Sequence, residues 1–460
     1  MFEVFRRWVS ARDPADRSAG RVRRARLTSA SSILTQGITF VVGLVSVPLT
    51  VSYLGQERYG MWITLSSFLT WLTLADLGLG GNGLINTLAD ANGRDDRQLG
   101  REMVATAFWS LAGIGGVLAV GCALAVPLVP LDALFRPSAH VVMSELQWAV
   151  VLAFGSWLLV LPLNTVTAIF HGYQEGYLSN AWAVVGSLAS LLALAVVTQL
   201  HGGLVELVVA LCGTRLVVAL AGGIYLFAWH RPWLMPTPRA VTRRALSRLF
   251  FLGIRYQVAQ IAGVGMFHSQ PFIITQALGP TQVGIFTVAY RLITLPLQLI
   301  QAFAFPLMPA YGEARARQDW AWIRATLRRS LTASAVGISC MVLAMVIFAR
   351  PIVRLWVGPG MEPDQSLVLA LGLYVFVAGL VTPVSVMLYG LERIGPQALF
   401  ASVNALATVV LGLWLIRQWG LSGMAAAMAI ALGLVNPLGQ AVELRAAFRA
   451  QRPGPVARVT

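Results

Sequence analysis

Leu54-Gly55-Gln56-Glu57-Arg58-Tyr59-Gly60 and, 224 positions later, Leu278-Gly279-Pro280-Thr281-Gln282-Val283-Gly284 share one skeleton, and each follows a glutamine at the same distance, Gln36 and Gln260. Both lie inside long apolar stretches, so the chain reads as two copies of one membrane unit. A Leu-Gly-x4-Gly pattern alone is weak in a glycine-rich chain and recurs by accident at Leu77, Gly78 and Gly83. Two further landmarks repeat in the same order. His171-Gly172-Tyr173-Gln174-Glu175-Gly176 matches Tyr389-Gly390-Leu391-Glu392-Arg393-Ile394-Gly395, and Gly203-Leu204 matches Gly420-Leu421. Internal repeats of this kind are a common ground plan of secondary transporters, whose substrate path lies between the copies.

Hydrophobic residues make up 57% of the 460 positions and charged ones 12%, a balance no water-soluble domain of this size carries without large exposed apolar patches. A membrane helix needs about 20 mostly apolar residues. Twelve such stretches are expected, at 28–52, 59–80, 102–127, 146–170, 178–199, 204–229, 249–277, 282–308, 329–349, 366–389, 397–416 and 421–444. The expected fold class is therefore an all-α integral membrane protein with about 12 transmembrane helices in two six-helix bundles.

The net charge of +15 comes from arginine alone, and its distribution follows topology rather than a nucleic-acid partner. With the N-terminus inside, 26 of the 34 Arg fall in inner loops and tails, against five in outer loops (Arg58, Arg136, Arg350, Arg354 and Arg417) and three within helices (Arg215, Arg255 and Arg291). The positive-inside rule then places both termini in the cytoplasm. The first 26 residues hold eight Arg and do not read as a secretory signal; Phe2, Phe5, Trp8 and Val9 could form a short interfacial face, against the plainer reading of a basic tail. The expected parts are a tail over 1–27, a bundle over 28–230, a linker rich in Pro and Arg over 231–248, a second bundle over 249–446 and a tail over 447–460. Tyr311 to Arg329, with Trp320, Trp322 and Ile323, reads as an amphipathic segment on the inner surface.

Cys122, Cys212 and Cys340 share no metal-like spacing and read as packing residues, so neither a metal nor any other cofactor is expected. The chain has no phosphate-binding loop and no nucleophile turn, which argues against an enzyme and leaves no catalytic residue to name.

Ionisable groups inside membrane helices are costly and so are functional candidates. Arg291 follows Gly284 by seven residues, which puts it ~10 Å into its helix at ~1.5 Å per residue. Thr287, Arg291, Thr294, Gln298 and Gln301 share one face at the i, i+4, i+7 spacing, as expected for a wet path. The preceding helix carries Gln257, Gln260, His268 and Thr275, with Pro271 offering a kink; its counterpart carries Thr35, Gln36, Thr39, Ser46 and Pro48. His268 reads equally as a satisfied interior histidine. Asp76, in a Gly-rich run, and Arg255 suggest a gating or structural ion pair. Arg215 has no nameable partner.

Gly55-x4-Gly60, Ala75-Asp76-Leu77-Gly78-Leu79-Gly80, the segment Phe305 to Ala314 followed by Asp319 and Trp322, and Tyr389-Gly390 resemble the polysaccharide or oligosaccharide flippases, of O-antigen type, in the MATE-like MOP flippase superfamily. The resemblance covers nearly the whole chain. It implies two bundles around a partly cationic cavity that carries an undecaprenyl-diphosphate-linked oligosaccharide from the inner to the outer leaflet by alternating access. The substrate would be joined by membrane lipid, and polysaccharide polymerase and chain-length proteins are candidate partners; nucleic acid is not. One departure is that Gly37 to Tyr53 holds no basic residue, so anion binding would rest on Arg291, Arg255, Arg58 and Arg215. Arginine suits a diphosphate, and Gln257, Gln260, Gln298, Gln301 and Thr294 suit a sugar. The rivals are a cation-drug antiporter, which should hold buried acids where this chain offers Asp76 and at most Glu206; a polyprenyl-glycan polymerase or ligase, which should carry a large outer loop; and a scaffold.

Overall fold

A computed structural model describes residues 14–126, 128–137, 143–200 and 202–449. The segment holding Phe2, Phe5, Trp8 and Val9 lies outside the described residues. The principal helices are α1 (Pro14–Trp71), α2 (Asn82–Gly93), α3 (Arg97–Ala125), α4 (Met143–Val160), α5 (Asn164–Gly172), α6 (Gly176–Gln199) and α7 (Leu204–His230). They continue as α8 (Arg243–His268), α9 (Gln270–Leu278), α10 (Pro280–Ile293), α11 (Leu295–Ala304), α12 (Leu307–Ala316), α13 (Trp320–Trp356), α14 (Gln365–Gly390) and α15 (Ile394–Arg449).

Nine segments among the described residues are long and apolar enough to cross a membrane. Two of them, Leu27–Asp76 and Leu399–Phe448, each hold two of the expected spans, broken at Gly55 and at Trp419–Gly420. The expected span 249–277 falls on α8 and α9. Outward-facing Phe303 (79% exposed) and Leu355 (91%) are what lipid-facing helix surfaces present. The protein is thus an all-α, multi-pass membrane protein.

The repeat is written into the backbone. Gly55 (φ 75°, ψ 172°) and Gly279 (φ 90°, ψ 166°) adopt the same conformation, one that an L-residue avoids. A Cβ on either glycine would meet nothing within 4 Å, so conformation, not crowding, selects glycine there. The Asp96 carboxylate accepts from Leu99 N at the start of α3, and Asp319 accepts from Trp322 N at the start of α13, both at 2.9 Å. Each cap follows a left-handed residue, Asp95 (φ 54°) or Gln318 (φ 58°). Gln174 (φ 60°) and Glu392 (φ 61°) occupy a third matched turn. Gly203 and Gly420 match in position only, since Gly203 is extended (φ −104°) and Gly420 left-handed (φ 56°).

Contact clustering divides the chain into two compact units. The first gathers Met1–Leu54, Leu72–Leu131 and Ala139–Val258, and the second gathers Gly55–Trp71, Asp132–Ser138 and Ala259–Thr460.

In the first unit, Asn180 on α6 donates to Ser31 Oγ (2.8 Å), Ser32 Oγ (2.9 Å) and the Thr28 carbonyl, while Thr35 donates back to the Asn180 carbonyl. Thr39 pairs with Ser187. Much of the polar stripe on α1 therefore binds α6. The expected helix over 59–80 stops early: Leu72–Asp76 is a tight turn, and Leu77 (φ 49°) and Gly78 (φ 74°) break the chain before α2. The Gly-rich run is thus a loop rather than a bendable helix. A Cβ on Gly78 would lie 2.5 Å from the backbone of Gly253, which shows why glycine faces glycine there.

In the second unit, Tyr311, Ile323 and Leu327 are buried with Val386, Met387 and Leu388. Tyr311 to Arg329 thus runs from the end of α12 through a short turn into α13, with Ile323 and Leu327 packed in the core and Trp322, Arg324, Arg328 and Arg329 exposed.

Candidate functional site

In the second unit, α10 begins with Pro280, whose missing N–H costs nothing at a helix start. It ends at Ile293, and the chain bends at Thr294 before Pro296 opens α11. The bend divides the polar face. Thr287 is half-buried and Arg291 is exposed in the last turn of α10; Thr294 is buried, its hydroxyl donating to the Tyr290 carbonyl at 2.7 Å. Gln298 is exposed and Gln301 half-buried on α11. Arg291 is tied electrostatically to one aromatic group, and others pack in the core beside α10. The Arg291 charge reaches the buried Tyr59 hydroxyl, Phe286 and Tyr290 stack with centroids 6.1 Å apart, and Tyr374 lies 6.3 Å from Tyr290. An exposed guanidinium is suited to an anion such as a phosphate, which it can take with charge-assisted, two-point hydrogen bonds.

The two copies of the Leu-Gly-x4-Gly turn meet beside Tyr59. Gly60 lies against the Pro280 backbone, and Gly284 lies against the Gln56 carbonyl, where a Cβ would come within 3.3 Å. Gly60 and Gly284 are repeat mates, as are Gln56 and Pro280, so the contact is reciprocal. One turn deeper, the Thr64 and Thr275 hydroxyls are 2.7 Å apart. Arg136 donates to the Gln276 carbonyl at 2.7 Å, and Gln276 donates to the Leu134 carbonyl at the same distance. Gln260 is exposed, His268 and Arg58 are half-buried, and the His268 carbonyl accepts from Trp71 Nε1.

The other expected site residues belong to the first unit. Gln257 is buried and donates to the Leu74 carbonyl at 2.8 Å, and its Oε1 has no partner among the described residues. Gln36 is exposed on α1. Asp76 accepts from Gly78 N at 2.8 Å and so shapes the turn after α1. The Arg255 side chain lies outside the described residues, as does any pairing with Asp76. Arg215 is exposed on α7. Glu206, expected inside a helix, instead sits in the first turn of α7, where its carboxylate accepts from Gly203 N; Glu145 accepts from Leu204 N beside it at 2.8 Å. Both are helix caps, so Glu206 is not an acid within the path. No acidic residue occurs between Glu206 and Glu313.

Two polar groups escaped the sequence reading. Glu175, whose side chain is 3% exposed, accepts from Arg231 at 2.8 Å and pairs with His230 at 3.0 Å; Arg231 also lies 4.2 Å above the Tyr173 ring. Burial alone would raise the Glu175 carboxyl, but the His230 hydrogen bond and the Arg231 charge outweigh it and hold the group below the usual carboxylate range. The second group lies in the final hairpin. Gln397, Asn404 and Thr408 are buried on one arm of α15 and Gln440 on the other, with Gln440 donating to the Val381 carbonyl and to Ser385 Oγ. The spacing of 397, 404 and 408 along one helix face was the available signal. Among the described residues, no group of three His, Cys, Asp or Glu is placed to hold a metal.

Comparison with known proteins agrees with this architecture. The family model described as "Polysaccharide biosynthesis protein" matches residues 28–315, more than half of the chain. The succinoglycan biosynthesis transport protein ExoT of Rhizobium meliloti (strain 1021) is 25% identical over 390 residues, which cover 82% of this chain and 71% of that protein. Among solved structures, an inward-facing multidrug resistance MATE family transporter of the MOP superfamily superimposes with a TM-score of 0.77 at 16% identity, covering 92% of this chain and 99% of that one. A MOP superfamily transporter from Pyrococcus furiosus, described as having a binding pocket of reverse polarity, gives 0.63 at 16% identity, covering 94% and 97%. At these identities the structural likeness concerns the fold. With a family model spanning α1 to α12 and a MOP-type helical fold, the chain belongs to the polysaccharide biosynthesis protein family and is a multi-pass membrane transporter.

Proposed function

We propose that this transporter moves a polyprenyl-diphosphate-linked oligosaccharide from the inner to the outer leaflet of a bacterial inner membrane, by alternating access, for assembly of a surface polysaccharide. The observation that carries the reading is the polarity of the candidate site. Arg291 is an exposed cation on α10, its charge felt at Tyr59, while α10 and α11 themselves carry no acid. Such a site favours a diphosphate and disfavours a cationic drug, which needs a carboxylate partner. ExoT, whose name describes succinoglycan transport, supports an exopolysaccharide-type cargo.

Arg291 would take the diphosphate, with Arg58 and Arg255 as further cations. Gln257, Gln260, Gln298, Gln301, Thr287, Thr294, His268 and Gln36 would offer amide, hydroxyl and imidazole partners to the sugar. Alternating access would require the Gly60–Pro280 and Gly284–Gln56 contacts to part and the Thr64–Thr275 bond to break. A Thr64→Cys/Thr275→Cys pair should therefore stop transport when oxidised and recover it on reduction.

The deciding measurement is the leaflet accessibility of lipid-linked glycan in a strain lacking this gene, read with a membrane-impermeant glycosidase on spheroplasts. Protected glycan that accumulates inside supports the reading, and normal exposure refutes it. Arg291→Ala should impair export with the protein still in the membrane, and Gln260→Ala should do so to a smaller degree. Normal surface glycan in the Arg291→Ala strain removes that residue from its role.

A further inference from the structure

A cleft of about 360 Å³ opens on the second unit where α11 and the start of α12 pack on α13. Its lining includes small groups, the buried Ala304 from α11 and the buried Ser334 and half-buried Gly337 from α13, with the exposed Ala333 and Phe303 at its edge. At Gly337 the nearest atoms to an added Cβ are Ile300 Cδ1 at 3.8 Å and Met341 Cε at 3.9 Å, so a small side chain there would make ordinary contact without a clash. Along α13 the cleft runs from Ser330 to Met341, ~16 Å at ~1.5 Å per residue. That is about half of a ~30 Å hydrocarbon core, the depth of one leaflet.

The cleft has a charged end. Arg329 lies one turn before Ala333 on the same helix face, beside Arg328, and both are exposed. The apolar run of α13 begins just past Arg329 and continues to the next cation, Arg350, so the cleft fills the half of the span nearest Arg329. An apolar slot one leaflet long with cations at its mouth is complementary to a single-chain lipid that carries an anionic head.

We propose that this cleft holds the isoprenoid chain of the diphosphate lipid while Arg329 and Arg328 attract its head group at the membrane surface. The inference rests on the flippase reading above and adds to it a seat for the tail. A chain that leaves bilayer for cleft gains no hydrophobic energy, because both surroundings are apolar; the gain is packing contact, which a lining with small residues offers to a methyl-branched chain. The seat holds the cargo against the protein while its head is transferred.

The test uses the full-length protein in phosphatidylcholine vesicles with a polyprenyl phosphate that carries a diazirine in its isoprenoid chain. Adducts should concentrate on residues 299–307 and 330–341. They should fall about tenfold with excess unlabelled polyprenyl phosphate and remain with the same excess of phosphatidylglycerol. Gly337→Phe, which fills the cleft, and Arg329→Gln should each lower labelling; Ala333→Leu provides a milder filling variant should the first fail to fold. Labelling spread over all lipid-facing helices, equal competition by phosphatidylglycerol, or full labelling of the filled variants overturns the proposal.

Transport separates this inference from the flippase reading. Gly337→Phe should slow a long-chain glycolipid and leave a short farnesyl analogue with the same head moving as in the wild type. Equal slowing of both overturns the tail seat alone, whereas a wild type that moves neither overturns the flippase reading.

Discussion

The turn after α5 and the turn after α14 share one backbone but not one chemistry. In each, a glycine lies against an earlier helix: a Cβ on Gly172 would come 2.7 Å from Leu88 Cβ, and one on Gly390 would come 2.6 Å from the Met308 carbonyl oxygen. The same three hydrogen bonds follow, Tyr173 N, Gln174 N and Glu175 N to the carbonyls of Ile169, His171 and Phe170, and Leu391 N, Glu392 N and Arg393 N to those of Met387, Tyr389 and Leu388. Yet Glu175 is buried between His230 and Arg231, whereas its counterpart Arg393 meets Glu443 at 2.8 Å, and Glu392, the counterpart of Gln174 and 73% exposed, meets Arg315 in solvent. Geometry has been kept in both copies while charge has diverged. In the first copy, the divergent charge fastens the start of the inter-repeat linker to the unit that precedes it.

The largest effect should come from removing that fastening. Glu175→Gln leaves Arg231 near a partner that no longer balances its charge and should cost about 3 kcal/mol in thermal unfolding of the detergent-purified protein. A melting temperature unchanged from wild type would show that the two turns do not differ energetically. The loss should depend on pH. A carboxylate held below its usual range stabilises the folded state above the unfolded value of about 4.3, and that contribution disappears as pH falls through the folded value. The gap between wild type and Glu175→Gln should be full at neutral pH and should close below about pH 4.

Next come the shared glycines. Gly172→Ala and Gly390→Ala should each cost about 2 kcal/mol, with the second the worse because the obstructing atom is backbone. A neutral result at either site would mean the crossing can relax, and the parallel would fail there. Gln174→Gly and Glu392→Gly relieve a left-handed residue and should each stabilise by up to about 1 kcal/mol, to the same degree if the turns are equivalent. The smallest effect should be Glu392→Gln, within about 0.5 kcal/mol, as for other exposed pairs.

The repeat was legible in the sequence because glycine is required where φ is positive or where two backbones cross, and those requirements leave fixed spacings. Gly55, Gly279, Gly172 and Gly390 carried it. The apolar runs gave the helices for the same reason that a membrane demands them. What sequence could not provide was pairing at a distance. Glu175 meets His230 across 55 positions, and Gly78 touches Gly253 across 175, with no local pattern announcing either. The bend at Thr294 was concealed because Pro296, read alone, fits a continuous polar face as well as a break. Arg291 was found by its cost in a membrane helix, but its electrostatic tie to Tyr59 of α1 needed the fold.

The reciprocal contact of Gly60 on Pro280 and Gly284 on Gln56 has a consequence for ancestry. It is the contact that a chain holding one copy of the repeat would make with its own twin about a two-fold axis, the same patch serving as both knob and socket. In such a self-paired ancestor every substitution in the patch would be felt twice and would have to suit both roles. Joined in one chain, the two patches are free to specialise, so that glutamine now stands on one side where proline stands on the other.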